Sequence, residues 1–415
     1  METEAGCGQP KIQAALQNIL IGLTQNGFIT RAFLLAASDK QTSYRALQKG
    51  MAQGYVKEFS FAQKVSGRTF RSGYFGITER GLQYLMESDV EAAGVELFGK
   101  DFMRKRIAES GRSPSLQSDK LARYLSVSGT AFLASLMGYA TNPLTPAAGS
   151  KRLKQDSKEY MDTVDEVNAI DSRFAAESME GHSESAGNGR QSFWNAYEVK
   201  EILAGDSGQY SAFHAGRFTG ILESNEKSVL VYVGAKGGMS WSKVATKPEF
   251  KAHHVYSAKY SKLKNLPGGE NHGIMFVQNA RLFANLYLDA AGKRKEDLFA
   301  DRFNSFAIFP VDIHGVANAL EYMEIESSDY ERQFTEAAIQ SGIYEANTSG
   351  FASLFPLKNG NGVPMTIGVF MDAVKLNRLR SIHEKVNSVY GVICYQWQID
   401  YYQRVIPEAI FMTIN

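Results

Sequence analysis

The stretch from Lys11 to Glu87 constrains the fold most, because a helical repeat gives way there to two short extended runs and then returns. Ile12, Leu16, Ile19, Leu20 and Leu23 recur at the spacing of one helix face, and Asn26-Gly27 predicts where that helix stops. Thr30 predicts the cap of a short helix through Ala37, and Ser38-Asp39 the turn after it. Thr42 to Gln53 then reads as a third helix with Tyr44, Leu47 and Met51 on its packed face, closed by Gly54. Extended runs from Tyr55 to Phe61 and from Tyr74 to Ile77 flank a polar tip from Gln63 to Gly73. Thr78-Glu79-Arg80-Gly81 opens a closing helix through Leu85. Three helices, a hairpin and a last helix predict a winged helix-turn-helix over residues 1–88.

Charge in this segment is one-sided. Between Lys40 and Gly81, eight basic residues face only Glu58 and Glu79, a local balance of +6 in a chain whose formal net charge is +1. Such a patch attracts polyanions. On the third helix Gln41, Thr42, Ser43, Arg45 and Lys49 are polar on the side away from the apolar face. Gln41, Thr42 and Arg45 are therefore the first candidates for base or phosphate contact in a major groove. Lys64, Arg68 and Arg71 on the tip suit the backbone or the adjacent minor groove. Double-stranded DNA is the expected partner; the alternative is a solvated basic face on a unit that docks onto protein.

A chain of 415 residues exceeds what one core usually serves, so two or three domains are expected. Residues 89–190 read as a helical segment and an acidic linker. Leu121, Tyr124 and Leu125 lead there into an apolar stretch from Ala131 to Tyr139, and nine acids between Asp156 and Glu184 then face only Lys158 and Arg173. A boundary is placed near Gly181 to Gln191. Residues 191–415 alternate short β-rich runs with helices. Strands are predicted at Phe218–Leu222, Val229–Gly234, Gly273–Gln278, Ser305–Val311, Thr366–Met371 and Tyr390–Gln396, and helices at Ala280–Ala290, Gly315–Met323 and Ala373–Val386. Spacing of this kind predicts a three-layer α/β domain with a largely parallel sheet.

Signals for chemistry are thin. Glu198-Val199-Lys200 has the Glu-x-Lys spacing of metal-dependent nucleases, but Phe193 to Leu203 reads as a helix capped by Asn195, where such nucleases use a strand. The strand ending Gly234-Ala235-Lys236 lacks the acid, and Glu223 is the other carboxylate near a lysine. Asp372, between a strand and a helix, is read as a helix cap at the position where α/β folds present functional carboxylates. His253-His254 reads as surface histidine, since neighbours on an extended segment face opposite ways. No two of the seven histidines are separated by a single residue in the His-hydrophobe-His pattern that a relaxase metal site requires, and Tyr401-Tyr402 alone does not supply one. No phosphate loop, dinucleotide fingerprint or HExxH motif occurs, so no catalytic residue, metal or cofactor is assigned. No run approaches the ~20 apolar residues that span a bilayer. Cys7 and Cys394, the only cysteines, suit a reducing compartment, and a cytoplasmic location is expected.

Several stretches resemble the replication-relaxation-like winged-helix proteins of plasmids and integrative mobile elements of Gram-positive bacteria. They are Tyr74-Phe75-Gly76-Ile77-Thr78-Glu79-Arg80-Gly81, Tyr197-Glu198-Val199-Lys200, Gly216 to Gly220, Leu230 to Gly234, Met239-Ser240-Trp241 and Val392 to Gln398. The resemblance implies a DNA-binding accessory factor for element replication or conjugative mobilisation. Its partner would be a relaxase, a replication protein or a second copy of itself, and its C-terminal domain a degenerate restriction-endonuclease-like one. A winged-helix transcription regulator whose α/β domain senses a small ligand is the alternative, and a metal-dependent nuclease using Glu198 or Glu223 a third.

Overall fold

Gly27, at φ +76°, ends the first helix, α1 (Gly8–Asn26), because a left-handed residue without a Cβ stops a helix without steric cost. The computed structural model describes residues 8–65, 68–87, 106–107, 110–114, 118–142, 191–199, 218–224, 227–234, 271–288, 302–325, 327–386 and 389–414, with single positions at 116, 144, 249, 253 and 292. After Gly27 come β1 (Phe28–Thr30), α2 (Arg31–Leu34), a 3-10 turn over Leu35–Ala37, and α3 (Lys40–Ala52). Thr30 precedes α2 but its side chain makes no capping bond. Asp39 does cap α3, its carboxylate accepting the Gln41 and Thr42 amides at 3.1 and 3.0 Å. The helix therefore starts at Lys40, ahead of the expected Thr42, because the strongest cap in the turn is the aspartate.

The hairpin is longer than expected. β2 (Val56–Val65) and β3 (Arg68–Ile77) pair antiparallel from Val56↔Ile77 to Val65↔Arg68, and β1 pairs with the other edge of β3. The polar tip predicted from Gln63 to Gly73 is therefore strand over Gln63–Val65 and Arg68–Gly73, and positions 66 and 67 lie outside the described residues. The ladder between the two strands continues through these polar positions, with Gln63↔Phe70 and Lys64↔Thr69 paired. α4 (Glu79–Glu87) closes the unit, and the Thr78 hydroxyl accepts the Gly81 amide at 3.1 Å.

Leu121, Tyr124, Leu125 and most of the apolar stretch from Ala131 to Tyr139 lie on one helix, α5 (Ser118–Leu136), packed against α1, α2 and β1. Small residues allow that approach. A Cβ on Gly129 would lie 2.3 Å from the Phe33 ring, and one on Gly22 of α1 would lie 2.3 Å from the Phe132 ring. The Tyr124 and Ser128 hydroxyls donate to the carbonyls of Asn26 and Phe28, each at 2.5 Å. The Tyr124 bond satisfies a carbonyl that the end of α1 leaves open, and the Ser128 bond ties the helix to β1. One continuous hydrophobic core runs from Leu16 through Phe132 to Phe306.

Beyond α5 the described residues are mixed α/β and form two sheets rather than the single largely parallel sheet expected. The first runs β4 (Ala140–Thr141), β5 (Ser192–Asn195), β6 (Gly220–Glu223), β7 (Ser228–Val233), β8 (His272–Val277) and β9 (Ser305–Pro310), in that spatial order. α6 (Ala280–Tyr287) connects β8 to β9, and α7 (Ile313–Glu324) and α8 (Ser327–Gln340) follow. The second sheet orders β10 (Glu345–Ala346), β11 (Leu357–Lys358), β12 (Pro364–Ile367), β13 (Gly391–Tyr395) and β14 (Ile410–Ile414), with α9 (Ala373–Val386) and α10 (Ile399–Gln403) as crossovers. Both sheets contain the same succession: β5-β6-β7 and β10-β11-β12 are antiparallel, and two parallel steps follow each. Short connections favour the antiparallel steps β6–β7 and β11–β12, and helices lie in the longer crossovers that parallel steps such as β8–β9 and β12–β13 require. Every residue of β7, β8 and β9 is buried, as expected where both faces of a sheet are covered.

Phe193 to Leu203, read as a helix, begins instead as β5; residues 196–199 are helical, and the rest lies outside the described residues. Asn195 caps that turn as expected, its Oδ1 accepting the Tyr197 amide at 2.9 Å. The aromatic Phe193 and Trp194 pair with Leu222 and Ile221, and this pairing overrides the helical spacing. The acidic linker and the boundary placed near Gly181 to Gln191 fall outside the described residues, save Gln191. Among the described residues no helix is long and apolar enough to cross a membrane.

Candidate nucleic-acid interface

The side of α3 that faces the protein combines small residues with Leu47. Ser43, Ala46, Leu47 and Gly50 are buried, and a Cβ on Gly50 would lie 3.0 Å from Leu16 of α1. This packed side sets the opposite, outward face, on which Gln41, Tyr44, Arg45, Gln48 and Lys49 are exposed. Two readings change. Ser43 is fully buried and cannot reach a groove, while Tyr44, assigned to the packed face, is 47% exposed beside Arg45. Leu47 is buried as expected, but Tyr44 was misplaced, because the small residues Ser43, Ala46 and Gly50 mark where α3 approaches its neighbours closely.

Of the remaining candidates, Gln41 and Arg45 are exposed and Thr42 is half-buried behind the Asp39 cap. Lys49 is exposed, and its Nζ donates to Gln13 Oε1 of α1 at 3.1 Å, which holds the ammonium at the helix surface. Arg71 is exposed on β3, across the hairpin from Ala62. Lys64 and Arg68 lie on strands next to the 66–67 connection, opposite Thr69 and Val65, and their side chains are outside the described residues. Arg45 is thus placed on the helix and Arg71 on the hairpin, with no acid of α3 exposed between positions 40 and 52.

Neighbouring charges are already engaged. Arg31 pairs with Glu58 at 2.8 Å and lies over the Phe75 ring, which neutralises one of the two acids in the basic segment. Lys57 donates to the Gly111 carbonyl at 2.8 Å. The Asp39 carboxyl is held below its usual range, first by its hydrogen bonds from Thr42. An ionised carboxylate therefore occupies the positive end of α3, and attraction for a phosphate falls to side-chain cations rather than to the helix dipole.

The C-terminal candidates resolve differently. Glu198 Oε2 accepts the Asn195 amide at 2.7 Å and Oε1 accepts from Asn142 at 2.5 Å, so the carboxylate of the Glu-x-Lys motif is bound as part of a capping box. Glu223 is buried on β6, and Lys200 and Lys236 lie outside the described residues. His253, read as a surface residue, is buried, with Nε2 2.9 Å from Ser228 Oγ; His254 is not among the described residues. Tyr402 is buried and donates to the Gly368 carbonyl, and Tyr401 packs edge-on against Phe283. The buried Lys227 donates to the Tyr322 and Ile325 carbonyls, each at 2.5 Å, a cation at the C-terminal end of α7. Among the described residues no three histidine, cysteine, aspartate or glutamate side chains gather as a metal site would.

Asp372 caps α9, Oδ1 accepting the Val374 amide at 2.7 Å, and it also lines a cleft. β12 ends at Ile367, short of the expected Met371, because Gly368 to Met371 turn away and Met371 takes a left-handed φ of 46°. The turn carries Asp372 to the carboxyl end of a parallel strand, where α/β folds place ligands. No family model, no characterised protein and no solved structure matches the chain.

Proposed function

We propose that the N-terminal unit is a winged helix that grips double-stranded DNA, with α3 in the major groove and the β2–β3 hairpin as its wing. The supporting observation is the outward face of α3, where Gln41, Tyr44, Arg45, Gln48 and Lys49 are exposed together. A groove-sized helix with cations and amides on its free side suits base edges and phosphates. In line with the sequence resemblance, the protein acts as a DNA-binding accessory factor of a mobile element, in plasmid replication or conjugative mobilisation. Its C-terminal sheets recruit a relaxase, a replication protein or a second copy. Band shifts with duplexes selected from a random pool test this: wild type enriches a defined site, and Arg45→Ala loses it. Failure to enrich any sequence would remove specific binding.

A second reading, a ligand-responsive winged-helix regulator, draws support from the cleft beside Asp372. A nuclease is the weaker reading, since the Glu198 carboxylate is taken up by its own cap. Magnesium-dependent nicking abolished by Glu223→Ala would reinstate it.

A further inference from the structure

Gln13 lies half-buried on α1, and its side-chain amide bridges two other helices. Its Oε1 accepts from Lys49 Nζ of α3 at 3.1 Å, and its Nε2 donates to the Tyr84 hydroxyl of α4. An ammonium can only donate, so the amide oxygen must face Lys49 and the amide nitrogen Tyr84. The Tyr84 ring is itself fixed, stacked on Tyr55 with centroids 4.6 Å apart and planes at 18°. Both rings pack on the hydrophobic core, and the Arg80 guanidinium lies over Tyr55, 5.8 Å from the ring centre.

The amide thus holds the end of a long, flexible side chain without cancelling its charge. Arg31, by contrast, is held by an acid, Glu58, at 2.8 Å. One ammonium proton of Lys49 goes to Gln13, which leaves two for an outside acceptor. Lys49 is exposed in the last turn of α3. The first turns of a groove-docked helix meet base edges, so a cation in its last turn faces the sugar-phosphate backbone.

We infer that Gln13 is a positioning residue for DNA binding, which presents the Lys49 ammonium to a backbone phosphate at the edge of the major groove. This rests on the reading of the N-terminal unit as a DNA grip and adds to it a residue on a helix outside the groove. A free lysine loses rotamer freedom when it binds, and an ammonium already held in place loses less, which favours the bound state. A phosphate contact carries no base information, so the gain extends to every duplex alike.

The test is a double-mutant cycle in the full-length protein, with affinity read by fluorescence anisotropy over a salt series on the selected duplex and on one of unrelated sequence. Gln13→Leu is expected to weaken both duplexes about threefold to tenfold, and to add less than about twofold where Lys49 is already alanine. Gln13→Glu keeps an acceptor beside the ammonium but answers its charge, so it should flatten the salt slope by about 0.9, as Lys49→Ala does. Tyr84→Phe keeps the stacked ring, removes only the hydroxyl that orients the amide, and should give a smaller loss of the same kind. Gln13→Leu at wild-type affinity, equal losses with and without Lys49, or a wild-type slope for Gln13→Glu overturns the inference while the DNA grip stands. A wild-type protein that binds no duplex removes the DNA grip, and the inference with it.

Discussion

The Thr130 hydroxyl on α5 donates to the Thr219 hydroxyl at 2.9 Å, and both residues are fully buried. This bond joins the helix that covers the N-terminal unit to the strand region at the start of the six-stranded sheet. On the same helix Arg123 donates to the Phe218 carbonyl, while Ser128 reaches the Phe28 carbonyl of the N-terminal unit. α5 is therefore shared by two packed regions, and its fit controls both.

Gly129 tests that fit. Alanine for glycine inside a helix normally gains about 1 kcal/mol, but overpacking a filled core costs about 1–3 kcal/mol. A Cβ 2.3 Å from the buried Phe33 ring makes the second effect win. Gly129→Ala is expected to lower stability by about 1–2 kcal/mol in urea unfolding. A gain would show that the Phe33 ring yields freely.

Asp39 carries a pH-dependent contribution. Its folded carboxyl lies below the usual aspartate range, first through its hydrogen bonds from Thr42. The stabilisation is thus full above the unfolded value and is lost as pH falls through the lower folded one. Asp39→Ala should cost about 1 kcal/mol at neutral pH. Asp39→Asn should keep the cap and flatten the acid limb of a denaturation series, and an unchanged acid limb would assign that limb to other carboxylates.

Much of this fold was legible because the decisive signals are local. Asn26-Gly27 ended α1, the run to Val386 fixed α9, and six predicted strands of the C-terminal region formed within a few residues of their expected bounds. What was missed depends on partners far along the chain. β1 exists only because Phe28 to Thr30 pair with Tyr74 to Gly76, and β14 because Ile410 to Ile414 lie beside β13. The division into two sheets has no local signature either. On α3 the exposure of Gln41 and Arg45 was legible from their polarity, whereas that of Tyr44 was not, because an exposed aromatic looks apolar in a spacing count.

Cys394 offers an independent check on the second sheet. It is fully buried on β13, and burial pushes its thiol up to about 12. The thiolate is the reactive form, so in a Cys7→Ser background labelling by a thiol reagent should follow global unfolding. Rapid labelling of native protein would mean that β13 opens on its own.

On α3, two adjacent residues should behave in opposite ways. Ser43→Ala removes a buried, unpartnered hydroxyl and should leave DNA affinity within about twofold. Tyr44→Ala strips the exposed ring beside Arg45 and should weaken binding about fivefold to a hundredfold, the range of about 1–3 kcal/mol for a base-contacting side chain. A reversed order, measured by fluorescence anisotropy on the selected duplex, would place the packed face of α3 elsewhere.

The most direct test of the DNA grip is the salt dependence of duplex affinity for the full-length protein. Each phosphate-neutralising cation should add about 0.9 to the slope of log affinity against log salt, and Arg45→Ala, Arg68→Ala and Arg71→Ala should each weaken binding and flatten the slope by about that amount. A wild-type affinity indifferent to salt, or variants with the wild-type slope, would contradict DNA binding through this face.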